Sequence, residues 1–431
     1  MALYTDEQII KMIDTWRGSA EYSKIVDLQA LYDADNPDIL LAGAEKDRRG
    51  KTPNNIIPTG YYSTVIDTMA GYMFQDVQYT CETPEQQENL NDIYKANNIS
   101  VEDMKMGISA LAYNKGVEYI YTDSDAEIRI EKLNPANTII IRDNTIRMRS
   151  VAAINYTVDS GDSTTINVMY IEPELERKFT VKESKSVDGD DRALPFKALP
   201  VIEYKSQIIG FKAPFEVVLP YITALDALIS GNANEIDRLT DALLIIGRDM
   251  DEQDLQHMEE LKALVDMAAD DRAEYITKEM SPEFRKFVSE LLIREIHKHS
   301  HVIDWYAPDQ GQTADASGKA LRTRLYDMWT YSKRLELAYQ EGAYLRNKAI
   351  EELAPALKMS IGFVEVEYNR TMIDDFVDDA VKLSEVDSNI MSYETKREKL
   401  GIDEVKELER LETQTALLGV ETDFNLDGDA E

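Results

Sequence analysis

The sequence predicts a helix-rich α+β fold, and three observations carry that expectation. Apolar residues Val218, Ile222, Leu225, Ile229, Ile236, Leu239 and Leu243 recur at steps of three, four or seven, which marks one face of a helix. From Val117 the period changes to two, through VEYIYT, EIRIEKL and TIIIR, the alternation of half-buried strands. A third stretch, Ser317 to Leu353, keeps helical periodicity for over 30 residues until Pro355.

Taken in order, Thr5 and Gln8 form a capping box that opens a helix with Ile9, Ile10, Ile13 and Trp16 on one side. A second helical stretch runs to about Tyr32. Glu45 to Asn55 is charged and turn-rich, an exposed loop. Its Lys46, Arg48, Arg49 and Lys51 are candidates for nucleic-acid contact, although a solvated loop is the simpler account. Within residues 54–80, Val65, Met69, Tyr72 and Met73 form a helical stripe, and Asn98 to Gly116 is helical again. Beyond the three alternating runs, strands are expected at 150–157, 164–172 and 176–183. Ser184 to Arg192, SKSVDGDDR, reads as a hairpin tip or loop, and Ala198 to Tyr204 as a short strand.

The long helix from Pro220 to Leu243 would span about 36 Å at roughly 1.5 Å per residue. Pro214 suits its start, and Pro220 falls in its first turns. Gly231 costs it about 1 kcal/mol, so packing must hold it. A second stripe, Thr223, Asp226, Ser230, Asn234, Asp237 and Asp241, is wholly polar. Next come a strand (Leu243 to Ile246), an acidic helix (Asp251 to about Met267) and a strand (Ala273 to Thr277). Ser281 and Pro282 then cap and start a helix to about His301, with Phe284, Phe287, Val288, Leu291, Leu292 and Ile296 on its apolar face. His301 to Ala316 has no period. Ser317 caps the third long helix, and a strand covers Phe363 to Tyr368. Residues 371–431, with 18 acidic and 6 basic side chains, read as a small helical region and a frayed tail.

The chain of 431 residues has room for several modules, and its 43% hydrophobic content suffices for real cores. A net charge of −34 argues against gripping nucleic acid through its phosphates, which needs a Lys/Arg excess, but is compatible with letting DNA pass. One cysteine, Cys81, excludes an internal disulfide framework and suits a cytoplasm. No signal peptide or apolar spanning run is visible, so a soluble intracellular protein is expected.

Catalytic and metal chemistry finds little support. His297, His299 and His301 invite a metal, yet on a helix only His297 and His301 share a face, and no carboxylate completes the set. Gly311 to Ala320 misses the phosphate-loop spacing and lacks the hydroxyl that would hold magnesium. Asp423, Asn425, Asp427 and Gly428 copy half of a calcium loop without its closing glutamate. There is neither a nucleophile elbow nor a zincin helix. No cofactor and no enzymatic activity are expected.

Two motifs carry a resemblance. Ile222-Thr223-Ala224-Leu225-Asp226-Ala227-Leu228 with Ser230-Gly231-Asn232-Ala233-Asn234 resembles the first stem helix of siphovirus-type portal proteins of tailed, double-stranded-DNA bacteriophages. Ser317-Gly318-Lys319-Ala320-Leu321 resembles the start of that family's long wing helix. Residues 54–80 resemble its "NN-I-P" helix, with Gln75 in place of a usual glycine, and Tyr368-Asn369-Arg370 is family-like too. The likeness extends from about Asn54 to Arg370.

The resemblance implies a portal fold. Residues 1–210 form the first half of the wing, 211–243 and 281–301 the two stem helices, and 244–280 the strand–helix–strand clip. Residues 302–316 are the tunnel loop, 317–370 the long wing helix with its return strand, and 371–431 the crown and tail. It implies a ring, usually twelve-fold, at one capsid vertex of the virion, assembled in the bacterial host cytoplasm. Double-stranded DNA would pass through it during packaging and ejection. Terminase, the head–tail connector or adaptor, the major capsid protein and the scaffolding protein would be its partners. An acidic channel suits that role, because a wall that neutralised phosphates would hold DNA tightly. The tunnel-loop residues expected at the channel are Asp304, Trp305, Tyr306, Asp309, Gly311 and Asp315. Those expected to meet partners at the clip are Asp251, Glu252, Asp254, Glu259 and Glu260. The rival readings are a metal-dependent packaging nuclease and a scaffold or tail adaptor without a channel.

Overall fold

The structure is a computed structural model that describes residues 2–35, 55–162, 164–182, 185–210, 212–239, 244–246, 273–275, 282–304, 318–370, 392, 395–396 and 410. Its helices are α1 (Asp6–Arg17), α2 (Ala20–Tyr32), α3 (Tyr61–Phe74), α4 (Pro84–Ala96), α5 (Ile99–Tyr113), α6 (Leu219–Leu239), α7 (Pro282–Ser300) and α8 (Gly318–Leu353). The strands are β1 (Asp76–Cys81), β2 (Gly116–Thr122), β3 (Ile128–Leu133), β4 (Thr138–Arg142), β5 (Ser150–Val158) and β6 (Ile166–Glu172). They continue with β7 (Leu175–Lys182), β8 (Lys185–Ala193), β9 (Val201–Tyr204), β10 (Leu244–Ile246), β11 (Ala273–Tyr275) and β12 (Val364–Asn369). The expected mixture of long helices and sheet is what is found, and the described strand pairs are antiparallel.

The chain divides into two units, residues 1–304 with 327–370, and residues 305–326 with 371–431. In the first unit α1 begins at the expected capping box: the Thr5 hydroxyl accepts from Gln8 N–H while the Gln8 side chain accepts from Thr5 N–H. Its apolar face, Ile9 and Ile13, packs on Ile154, Tyr156, Val168, Tyr170, Phe179 and Val181 of a five-stranded antiparallel meander ordered β4-β5-β6-β7-β8. Burying each such aliphatic side chain contributes about 1.5–3 kcal/mol. A second sheet, β3-β2-β9, and the pairs β1-β12 and β10-β11 complete the pairing among the described residues. Helix α3 buries Tyr62, Val65, Ile66, Met69, Ala70, Met73 and Phe74, a fuller stripe than the four expected positions, and leaves Tyr72 half-buried.

Two expectations need correction. SKSVDGDDR is not a loop: residues 185–193 form β8, paired with β7 from Lys182↔Lys185 to Leu175↔Ala193. Its charges suit an edge strand, where they discourage further pairing, and Arg177 of β7 reaches Asp191 at 3.3 Å. The helix in residues 54–80 covers only Tyr61–Phe74. Residues 55–60 precede it without helical structure, and Asp76–Cys81 form a strand paired with β12 in the register Asp76↔Asn369 to Cys81↔Val364. The described residues of the second unit are the start of α8 and short pieces near 392–396 and 410, where Thr395 N–H donates to Ser392 Oγ at 3.2 Å.

Candidate functional site

The polar stripe of α6 is occupied by the chain's own backbone. Asn55 N–H donates to Asn234 Oδ1 at 2.6 Å, Ile57 N–H to Ser230 Oγ at 3.0 Å, and Thr59 N–H to Asp226 Oδ1 at 2.8 Å. The Thr59 hydroxyl also donates to Asp226, at 2.5 Å. The fit is one of periods. Four residues of helix rise about 6 Å, and two residues of extended chain advance about 6.6 Å, so side chains at i, i+4 and i+8 meet alternate N–H groups. Between two of these positions stands Pro58, which has no N–H to satisfy. Gly60, at φ +68°, then turns the chain into α3 as its N-cap. Asp226 and Ser230 are buried beneath the segment, whose own residues stay half-buried or, at Ile57, exposed.

The Ser-x-Asn-x-Asn pattern thereby has a physical reading. Ser230 and Asn234 face the extended segment, while Asn232, two residues round the helix, accepts from Arg285 Nη1 of α7 at 3.1 Å. Helix α6 is held between the two. Its apolar residues Ile222 and Leu225 are buried, whereas Ile229 is only half-buried. On α7 the expected apolar face is split: Ile296 is fully buried, but Phe284 and Phe287 are 57% and 59% exposed.

At the end of α7 the three histidines do not converge. His297 Nδ1 donates to the Val302 carbonyl at 3.0 Å and leaves Nε2 at 4.0 Å from Asp304. His299 lies 3.2 Å from Glu295 and stacks on Tyr221. His301, past the helix end at φ +60°, stacks on Tyr331 and meets Asp327 at 2.9 Å. Three rings on three different carboxylates anchor the chain as it leaves α7 and do not form one metal site. Asp304 belongs to this anchor, with only 14% of its side chain exposed. Burial pushes the Tyr61 hydroxyl's pKa up, and the neighbouring Asp304 charge adds to that. Trp305, Tyr306, Asp309, Gly311 and Asp315 lie outside the described residues, as do Asp251, Glu252, Asp254, Glu259 and Glu260. Of residues 244–280, expected as the clip, the pair β10-β11 is described, in the register Leu244↔Tyr275 to Ile246↔Ala273.

Sequence reasoning missed the centre of the first unit, a buried ion cluster around Arg346 of α8. Its Nε and Nη2 each lie 2.9 Å from a Glu118 carboxylate oxygen, and Nη1 reaches Asp103. Tyr204 donates to Glu118 and Tyr79 to Asp103, both at 2.6 Å. Arg346 and Glu118 are 0% exposed. Burial disfavours the guanidinium charge, but Glu118, Tyr204 and Asp103 outweigh it and hold the pKa well above the usual arginine value. Gly342 lies under the Tyr204 ring, where a Cβ would come within 2.3 Å of a ring carbon. One signal was available. Leu335, Tyr339, Ala343, Arg346 and Ile350 form a single buried row of α8, and Arg346 stands in it as the one charge.

Among the described residues, no helix is long and apolar enough to cross a membrane. No curated protein matches the chain. Three solved structures are similar over 88% of this chain and 93% of theirs. They are "Virion of native gene transfer agent (GTA) particle" (13% identity, TM-score 0.46), "Neck of empty GTA particle computed with C6 symmetry" (12%, 0.47) and "Neck of native GTA particle computed with C12 symmetry" (12%, 0.44). A sequence profile described as "Phage portal protein, SPP1 Gp6-like" matches residues 16–416, and the chain belongs to that phage portal protein family.

Proposed function

We propose that this chain assembles into a closed ring of about twelve copies at one capsid vertex, a conduit for double-stranded DNA in packaging and ejection. Portal proteins of this family are structural capsid components and not enzymes. The observation that carries the reading is the family match across residues 16–416. The uncovered Phe284 and Phe287 on α7, with Leu337 and Tyr344 on α8, support it, because a lone subunit leaves these large apolar side chains in water. The purified full-length chain is expected to run as a closed multimer by native mass measurement, and negative-stain images should show an open centre. A stable monomer at micromolar concentration and moderate salt would count against the reading.

The clip, with Asp251, Glu252, Asp254, Glu259 and Glu260, is the proposed docking site for terminase and later for the head–tail connector. Glu259→Lys with Glu260→Lys is expected to leave rings intact and weaken capture of one or both partners. Unchanged affinity for both would remove these residues from the interface.

The tunnel loop is the proposed constriction. The repeated charge facing DNA is assigned to Asp304, Asp309 and Asp315; because Asp304 also lies 4.0 Å from His297 Nε2 in the single chain, the test reverses the other two. Opposed unit charges at 4 Å interact by about 1 kcal/mol in water, so a ring of them keeps the duplex centred. Asp309→Lys with Asp315→Lys should preserve assembly and slow or arrest DNA passage, most strongly at low salt. Packaging at the parental rate in low salt would show that the loop does not line the passage.

A further inference from the structure

A chain of net charge −34 that assembles with itself must overcome its own repulsion, so the faces that meet need a local surplus of the opposite sign. The first unit carries such a surplus on two loops joined at their roots. One joins β4 to β5 (residues 143–149) and the other follows β9 (residues 205–210). They are fastened together at their roots: Arg142, the last residue of β4, pairs with Glu203 of β9, and Lys205 lies 3.6 Å from the same carboxylate. Arg142 Nη1 also donates to the Met148 carbonyl at 3.4 Å.

The first loop is held in one shape. Asp143 accepts from Thr145 N–H, the Thr145 hydroxyl and Arg149 N–H, and Met148 N–H donates to the Thr145 carbonyl at 3.0 Å. Met148 sits at φ +45°, a conformation that costs a residue with a Cβ and persists only where its surroundings enforce it. The product is a rigid tip with Ile146 fully exposed and Met148 more than half exposed, alternating with the exposed Arg147 and Arg149. The second loop exposes Ile208 and, at 88%, Ile209. Of the patch's carboxylates, Glu203 pairs with Arg142 and lies near Lys205, and the half-buried Asp143 accepts three bonds from its own loop. The exposed charges of the two loops, Arg147, Arg149 and Lys205, are all basic.

We infer that this double tip is an assembly contact, which docks on the acidic surface of the neighbouring copy in the ring. The inference rests on the portal reading and names the part of the subunit that does the docking. Charge selects the occupant: apolar anchors inside an arginine rim suit a desolvated protein contact, and this chain's own surface is the acidic one at hand. Four aliphatic side chains with no aromatic ring among them offer no stacking surface to a nucleic acid.

The test uses the full-length chain, with ring formation followed by native mass measurement across a concentration series. Ile146→Asp with Ile209→Asp, and separately Arg147→Glu with Arg149→Glu, change exposed side chains, so thermal melting of the subunits should match the parent. Each pair is expected to raise the concentration for half-assembly about tenfold or more. Rings at the parental concentration from both variants would overturn the inference and leave the portal reading standing. Variants that form normal rings but are not built into capsids would also overturn it, by assigning the tip to another protein. A parent that never forms rings would remove the portal reading and this contact together.

Discussion

Arg346→Leu is expected to destabilise the first unit by about 3–5 kcal/mol, because it strands Glu118 and Asp103 as buried charges without a cation. A folded domain has roughly 5–15 kcal/mol in all, so most of its stability would go. The cluster joins α5, β1, β2, β9 and α8, and its loss should loosen the packing of the long helix on the sheet. Arg346→Lys keeps a positive charge but has no planar fork to serve two carboxylates, so it should fall between leucine and the parent. Urea titration of the unassembled subunit reads the effect. A midpoint for Arg346→Leu equal to the parent's would mean the cluster contributes nothing net.

The second large effect is expected at the track on α6. Asp226→Ala leaves the Thr59 N–H and hydroxyl without their acceptor in a buried place, at about 1–3 kcal/mol. Adding Ser230→Ala and Asn234→Ala removes the acceptors for Ile57 and Asn55 as well. The triple variant should free residues 55–59 from the helix, with fast amide hydrogen exchange at Asn55, Ile57 and Thr59 while the α1–sheet core stays protected. Protection at those three amides equal to the parent's would show that the segment is held by something else.

Much of this was legible beforehand, for reasons that differ by element. Helix α1 announced itself through Thr5 and Gln8, and α6 and α7 through apolar spacing and the prolines at their starts. Strands β2 to β7 followed from alternation. Strand β8 did not, since an edge strand can be as polar as a loop and its pairing with β7 is a tertiary fact. Strand β1 was hidden because its partner, β12, lies nearly 300 residues away, although Asp76–Cys81 alternates between exposed and half-buried positions. Helix α4 was passed over despite a capping box at Thr83 and Gln86 with Pro84 between them. The polar stripe of α6 was visible as a stripe, but what lay on it was not: a side chain that accepts from the backbone of a distant segment leaves no periodic mark there. Arg346 was hidden in the same way, as a charge whose partners come from other elements. The tunnel-loop and clip side chains are assignments from family resemblance.

The central claim is that the chain works as a ring, and the mass of the purified full-length protein tests it most directly. Native mass measurement at micromolar concentration is expected to give one dominant closed species near twelve times the 49.1 kDa subunit, with an open centre in negative stain. A dominant 49.1 kDa monomer, or an open-ended series of masses with no closed species, would contradict the account.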